Sequence, residues 1–370
     1  MTADAGPVKT RDALAARVLE RTVELARIPA PTGAEHTRAE VVRRWWDGDG
    51  WLPAIDQAGN VWGQLPGGPG PGLLMCAHLD TVFPADLPHE VAVTPGRLTG
   101  PSVGDDAIGV AALSAVAAMS GPGPGPLWLV ATVGEEGTGN LAGIRHALAN
   151  APRPVLAVIA IEGNYLGRVV TTGVGSIRWR VHFTGPGGHA WERAGAPSAV
   201  HAAATAAAGI AGLTVTGARY SVNIGSIGGG EAINARARDA WFEADLRAAT
   251  AAALQDLADR AQRIITAAAG AGLAVKVTEL GRRPAGSVAH SSPLARAAAD
   301  ALARAGIGCE FGAASTDANA AYEAGIPAVA LGVTRGEGEH TPAEWIETTP
   351  VAAGLAVLAD TVRQFREEQG

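Results

Sequence analysis

Histidines and carboxylates in this chain gather where apolar runs stop. His78 and Asp80 close "GLLMCAHLD", and Asp105 and Asp106 open "DDAIGVAALSAVAAMS". Glu135 and Glu136 close "PLWLVATVGEE", Glu162 closes "VLAVIAIEG", and His340 follows "IPAVALGV" in "GEGEHTPAEW". Imidazole nitrogen and carboxylate oxygen together are the mixed donor set that zinc accepts. With no Lys or Arg beside them, clustered carboxylates repel one another and their pKa values rise unless a cation is present. Two ions roughly 3.5–4 Å apart could share one carboxylate and hold a hydroxide between them. On that reading His78 is a ligand and Asp80 fixes its tautomer from behind. Taken singly, each residue has an ordinary alternative, such as a surface His beside a solvated Asp. Their shared placement carries the metal reading.

The elements that must position these residues follow from the apolar pattern. "GLLMCAHLD" (72–80), 126–136 and 155–163 are apolar at nearly every position, as in parallel strands buried on both faces. Residues 10–28 and 105–120 read as helices between or before them, the second with aspartates in its first turn. The fold class predicted is α/β, a mostly parallel sheet flanked by helices. The acidic positions recur about 27 to 30 residues apart, roughly one α/β unit each. Equivalent strand ends in such a sheet line up along one edge, where these folds bind ligands.

From about residue 174 the pattern changes. "SIRWRVHFTG" alternates, a helix follows over 197–211, then strands in "YSVNIGSIGG" and "DAWFEADLRA", a helix over 250–269 and a strand in "LAVKVTEL". That order is the split βαβ of a ferredoxin-like α+β domain. The α/β pattern resumes with a helix over 293–305, the strand 326–333 and a final helix over 350–367. We therefore expect one domain over 1–173 and 284–370, interrupted by another over 174–283.

Composition narrows the function. The chain has 370 residues, 47% hydrophobic and 18% charged, with a net charge of −7 and no dense basic block. This is a globular balance that argues against nucleic acid or an anionic membrane as a partner. No apolar run is long enough for a predicted bilayer span, and the first twenty residues lack the apolar core of a leader. Cys76 and Cys309 are the two cysteines, which suits a reducing, cytoplasmic setting. No G-x-S-x-G, H-E-x-x-H, Walker A or C-x-x-C motif is present. Of the remaining histidines, His36, His89, His146, His182, His201 and His290 read as structural or solvent-facing. His189 in "TGPGGHAW" differs: it is either part of a tight glycine turn or a donor for an oxyanion.

These segments together resemble the dinuclear zinc peptidases and amidohydrolases, a family that includes glutamate carboxypeptidase, peptidase T, acetylornithine deacetylase and succinyl-diaminopimelate desuccinylase. "AHLDTVFP", "SVGDDAIGVAAL", "ATVGEEGTGN", "IAIEG", "GPGGHAW", "GSIGGGEAINARARDAWFEADLR" and "STDANAAYEAGIPAVALG…EHTPAEW" occur in that family's order and span nearly the whole chain. The resemblance implies that His78, Asp105 and Glu162 hold one zinc and that Asp105, Glu136 and His340 hold the other. Co2+ or Mn2+ are possible substitutes. It implies Glu135 as general base, Asp80 behind His78, and His189 as oxyanion donor in a domain that acts as lid and dimer interface. A homodimer follows from it. Asn234 and Arg247 match residues that contact a substrate carboxylate, for which an arginine fork is suited; Asp245 is an alternative partner for Arg247. The sequence departs at Ala107, where many relatives have Lys or Asn, and at "NARA" (234–237), which is less apolar than in relatives. In this family Glu at position 162 tends to accompany carboxypeptidases and N-acyl-amino-acid deacylases, whereas "STDAN" and "GPGGHAW" resemble tripeptidases.

The function expected is metal-dependent hydrolysis of the amide bond of a small peptide or N-acyl amino acid with a free carboxylate. An aminopeptidase acting on short peptides is the alternative. A metal-binding scaffold without catalysis is the alternative of another class, and Glu135 argues against it.

Overall fold

The computed structural model describes residues 11–214 and 220–369. Residues 1–10, where the segment read as leaderless begins, lie outside the described residues. The chain divides into two compact units, Met1–Thr172 with Ser287–Gly370, and Gly173–Gly286.

In the larger unit the strands Leu127–Thr132, Gly72–His78, Val155–Ile161 and Ala328–Leu331 lie side by side in that order, all parallel. Antiparallel strands flank them, Val61–Leu65 on one side and Arg168–Gly173 on the other. Gly72–His78 and Leu127–Thr132 are buried along their whole length. Alternate side chains explain why. Leu73, Met75, Leu127, Leu129, Ile159 and Ile161 join one apolar cluster. Leu74, Cys76, Trp128, Val130, Val158 and Ala160 join another. A sheet covered on both faces needs strands that are apolar at every position, each fully buried Leu, Val or Ile stabilising the fold by about 1.5–3 kcal/mol.

The order of these strands places the site. From Gly72–His78 the chain passes through helix Ile108–Ser120 to Leu127–Thr132 on one side. It then passes through helix Ala142–Ala149 to Val155–Ile161 on the other side. The direction of winding reverses at Gly72–His78, and ligands bind outside the carboxyl ends of strands at such a switch point.

One expectation needs correction. Asp105 and Asp106 do not lie in a helical first turn; their φ/ψ values of −119°/86° and −132°/33° are non-helical, and the helix begins at Ile108. The physical reason is that side chains from elsewhere hold this segment, as described below. The apolar stretch Val103–Ser120, interrupted by Asp105 and Asp106, is 83% buried inside the protein, as a core segment is.

The smaller unit has the strand and helix order expected of a split βαβ. Strands Tyr220–Gly229, Asp239–Ala248, Gly175–Thr184 and Ala274–Arg283 form one sheet in that order, antiparallel throughout. Helices Ala199–Ala211 and Ala251–Ala269 pack on one face, with Ile177, Val181, Phe183, Phe242 and Leu246 buried beneath them. The opposite face carries charged pairs, among them Arg180 with Glu243 at 3.1 Å and His182 with Asp239 at 2.6 Å.

Candidate metal centre

His78 ends its strand in register with Thr132 of the neighbouring strand. Glu162 follows the next strand, held there by its N–H donating to the Leu331 carbonyl at 2.8 Å. His78 Nε2 lies 2.9 Å from Asp105 Oδ1. On the far side of the same carboxylate, His340 Nε2 lies 3.1 Å from Asp105 Oδ2 and 3.1 Å from Glu136 Oε1. His78, Asp105 and Glu162 present ligand atoms all within 4.8 Å of one another, and so do Asp105, Glu136 and His340. Asp105 is common to both groups. Glu135 joins His78 and Glu136 in a third such group.

The backbone around these donors is held by buried acids. Asp80 Oδ1 accepts the Glu135 N–H at 3.0 Å, and Oδ2 accepts the Glu136 N–H at 2.8 Å and the Thr32 hydroxyl at 2.9 Å. His78 Nδ1 meets the Asp80 backbone carbonyl at 3.0 Å, nearer than the Asp80 carboxylate at 3.5 Å. The tautomer of His78 is therefore set chiefly by a carbonyl, while the carboxylate pins the Glu135–Glu136 segment. Asp106, adjacent to Asp105, does different work. Its carboxylate accepts N–H groups of His78 at 3.2 Å and Gly163 at 3.0 Å, tying together the strand ends that carry His78 and Glu162.

The electrostatics favour a bound cation. Burial pushes the Glu162 carboxyl well above the usual range, and the nearby Asp106, Asp105 and Glu135 add to this. Asp106 is raised likewise, first by burial and then by Asp105. Hydrogen bonds to Asp105 and Glu136 raise His340 to about 10. His78 is also raised: burial opposes its charge, but Asp105 and Asp80 outweigh it. Carboxylates crowded this closely need positive charge, and protons on the imidazoles supply it where divalent ions otherwise would. Two nitrogen and several oxygen donors, arranged around one shared carboxylate, fit a pair of divalent ions.

The smaller unit brings two of its three sequence-predicted residues together. Gly188–His189 pairs antiparallel with Ala235–Arg236, and the Ala190 N–H donates to the Asn234 carbonyl at 2.8 Å. His189 and Asn234 thus line one cleft of about 530 Å³. His189 Nδ1 accepts from the N–H of Trp191 at 3.3 Å and of Glu192 at 3.5 Å, which leaves Nε2 as the ring donor. Arg247 stands apart from that cleft, its Nε and Nη2 both donating to Asp245 Oδ2 at 3.1 and 2.9 Å.

Several supporting residues escaped the sequence pattern. Glu344 Oε1 accepts the N–H groups of Gly104 and Asp105, each at 2.7 Å. Burial and Asp105 raise its carboxyl to about 9. A lone acid four residues after His340 was the available signal. Thr132 donates its hydroxyl to Asp317 Oδ2 at 2.6 Å. Arg38 is fully buried, yet in the sequence it looks like any arginine of an amphipathic helix.

The pattern of the family described as peptidase family M20/M25/M40 matches residues 74–364. Among solved structures, a tripeptidase from Staphylococcus aureus superposes with a TM-score of 0.81 at 22% identity, covering 95% of this chain and 99% of that one. Aminopeptidase PepT from Bacillus cereus gives 0.79 at 21% identity, covering 95% and 98%. The YXEP protein of Bacillus subtilis, described as a dinuclear metal-binding peptidase of the M20 family, gives 0.69 at 19% identity, covering 95% and 98%.

Proposed function

The chain belongs to peptidase family M20/M25/M40 and is a hydrolase; from that premise we propose that it cleaves the amide bond of a small peptide or N-acyl amino acid bearing a free carboxylate. The observation that carries this reading is Asp105 standing between two donor groups, with Glu135 beside them. His78, Asp105 and Glu162 would hold one divalent ion, and Asp105, Glu136 and His340 the other, with zinc suiting the donor types. Bound there, such ions polarise a carbonyl and lower the pKa of water.

The chain's own groups do the rest. Glu135 accepts a proton from the attacking water, whose oxygen joins the carbonyl carbon. As the carbon–nitrogen bond breaks, Glu135 passes that proton to the departing amine. Asp80 fixes where Glu135 stands by holding its backbone N–H. His189, with Nε2 as donor, is suited to receive the carbonyl oxygen as it gains charge. Asn234 lies in the same cleft and would meet the substrate carboxylate; Arg247 would have to leave Asp245 to join it. We carry with this reading a cytoplasmic setting, in keeping with the free thiols of Cys76 and Cys309, and a homodimer.

The test is metal content per chain together with hydrolysis of dipeptides, tripeptides and N-acyl amino acids, before and after chelation. About two metals and chelator-sensitive release of a C-terminal amino acid support the proposal. Absence of bound metal, with no activity on adding zinc, cobalt or manganese, overturns it. The second reading, an aminopeptidase on short peptides, draws support from the names of the two structures with TM-scores of 0.81 and 0.79. Cleavage that requires a free amino terminus would select it.

A further inference from the structure

Arg38 projects from helix His36–Gly48 and is 0% exposed. Its three nitrogens reach three separate segments. Nε donates to the Ile28 carbonyl at 2.8 Å, Nη1 to the Leu79 carbonyl at 2.9 Å, and Nη2 to the Ser102 hydroxyl at 2.8 Å. Leu79 lies between His78 and Asp80. Ser102 opens the irregular turn that carries Asp105, and its backbone is left-handed at φ 58°. One planar guanidinium therefore spans the two segments bearing the imidazole and the shared carboxylate. All three acceptors are neutral, so its charge acts through space on Asp80, Glu344 and Asp106, the acids facing it. Glu344 holds the same turn through the Gly104 and Asp105 amides.

We propose that Arg38 is a positioning residue for the metal centre, locking the strand end that carries His78 to the turn that carries Asp105. The inference rests on the dinuclear-metal reading above. A flat, five-donor group does this where an ammonium would not, because three acceptors in different directions need fixed, divergent N–H bonds. Its positive charge also lies near Asp80, Asp106 and Glu344, the acids behind these donors.

The experiment compares the unsubstituted chain with R38K and S102G. R38K keeps the charge and loses the fork. S102G removes one acceptor while suiting the left-handed backbone, so the fold is not strained. Metal affinity is read by competition with a chromophoric chelator, site geometry by the visible spectrum of the Co2+-loaded protein, and folding by Tm. The expected result is a roughly 10- to 100-fold loss of metal affinity in both variants, with an altered Co2+ spectrum while S102G keeps the wild-type Tm. Lower kcat at unchanged KM should accompany it. Wild-type affinity and spectrum in S102G and R38K would overturn the proposal and make Arg38 a fold anchor only. Wild-type protein that binds no metal would instead remove the reading beneath it, so the two failures are distinguishable.

Discussion

Asp80 Oδ2 accepts the backbone N–H of Glu136 at 2.8 Å, and this bond joins the ends of two neighbouring strands. Its other oxygen holds the Glu135 N–H at 3.0 Å. Burial alone would raise the Asp80 carboxyl, but His78, the Glu136 amide and the Thr32 hydroxyl hold it below its ordinary value. An ionised, fully buried carboxylate thus aims one proposed ligand and one proposed base at the same point.

Replacing Asp80 by Asn should disturb both. An amide has one acceptor oxygen where two N–H groups and a hydroxyl now converge, so at least one buried donor loses its partner. We expect about 1–3 kcal/mol lower stability and a 10- to 100-fold loss of metal affinity. Denaturant unfolding and chelator competition measure the two effects. An unchanged affinity would show that the segment holds its place without the carboxylate.

Glu135→Ala should keep its metal and lose turnover by roughly 100- to 10,000-fold, the range typical of a general base. Metal analysis and steady-state kinetics on one preparation decide it. Near-normal kcat would take Glu135 out of that role.

His189→Ala should leave metal content unchanged and lower kcat by about 100- to 1,000-fold, as removal of an oxyanion donor does. His189→Gln, which retains a donor, should recover part of the rate. Loss of metal in the alanine variant would place His189 among the ligands instead.

Gly109→Ala tests Asp106. Alanine is intrinsically better than glycine in a helix by about 1 kcal/mol. Here its Cβ would stand 2.1 Å from Asp106 Oδ1 and 2.5 Å from Oδ2. Moving that carboxylate releases the His78 and Gly163 amides it accepts from. Net destabilisation of about 1–3 kcal/mol is expected, seen as a lower Tm with weaker metal retention. A Tm at or above the parent value would show that the helix gain prevails.

Metal uptake should release protons. Without metal, His340 holds its proton up to about 10, and His78 is shifted in the same direction by Asp105 and Asp80. Ligation requires them neutral. Apparent affinity should therefore rise with pH and fall as pH drops. Calorimetry in buffers of different ionisation enthalpy reads the number of protons; heats that do not depend on the buffer would exclude the two histidines as ligands.

The period of the apolar residues determined much of this protein by itself. A strand buried on both faces must be apolar throughout, so a His or Glu can appear only where it stops. His78, Glu135, Glu136 and Glu162 were legible for that reason, and so was the change to alternating strands after residue 174. What the sequence left open depends on side chains that meet across the chain. Asp105 and Asp106 are neighbours of the same type. Their different partners, two imidazoles for one and two backbone amides for the other, exist only after the strand ends converge. Arg38 and Glu344 show the same limit. Their hydrogen bonds run to backbone groups and a hydroxyl of distant segments, and such groups are present in every residue or in many, so no residue type announces them. Packing alone decided which carbonyl or amide each would meet.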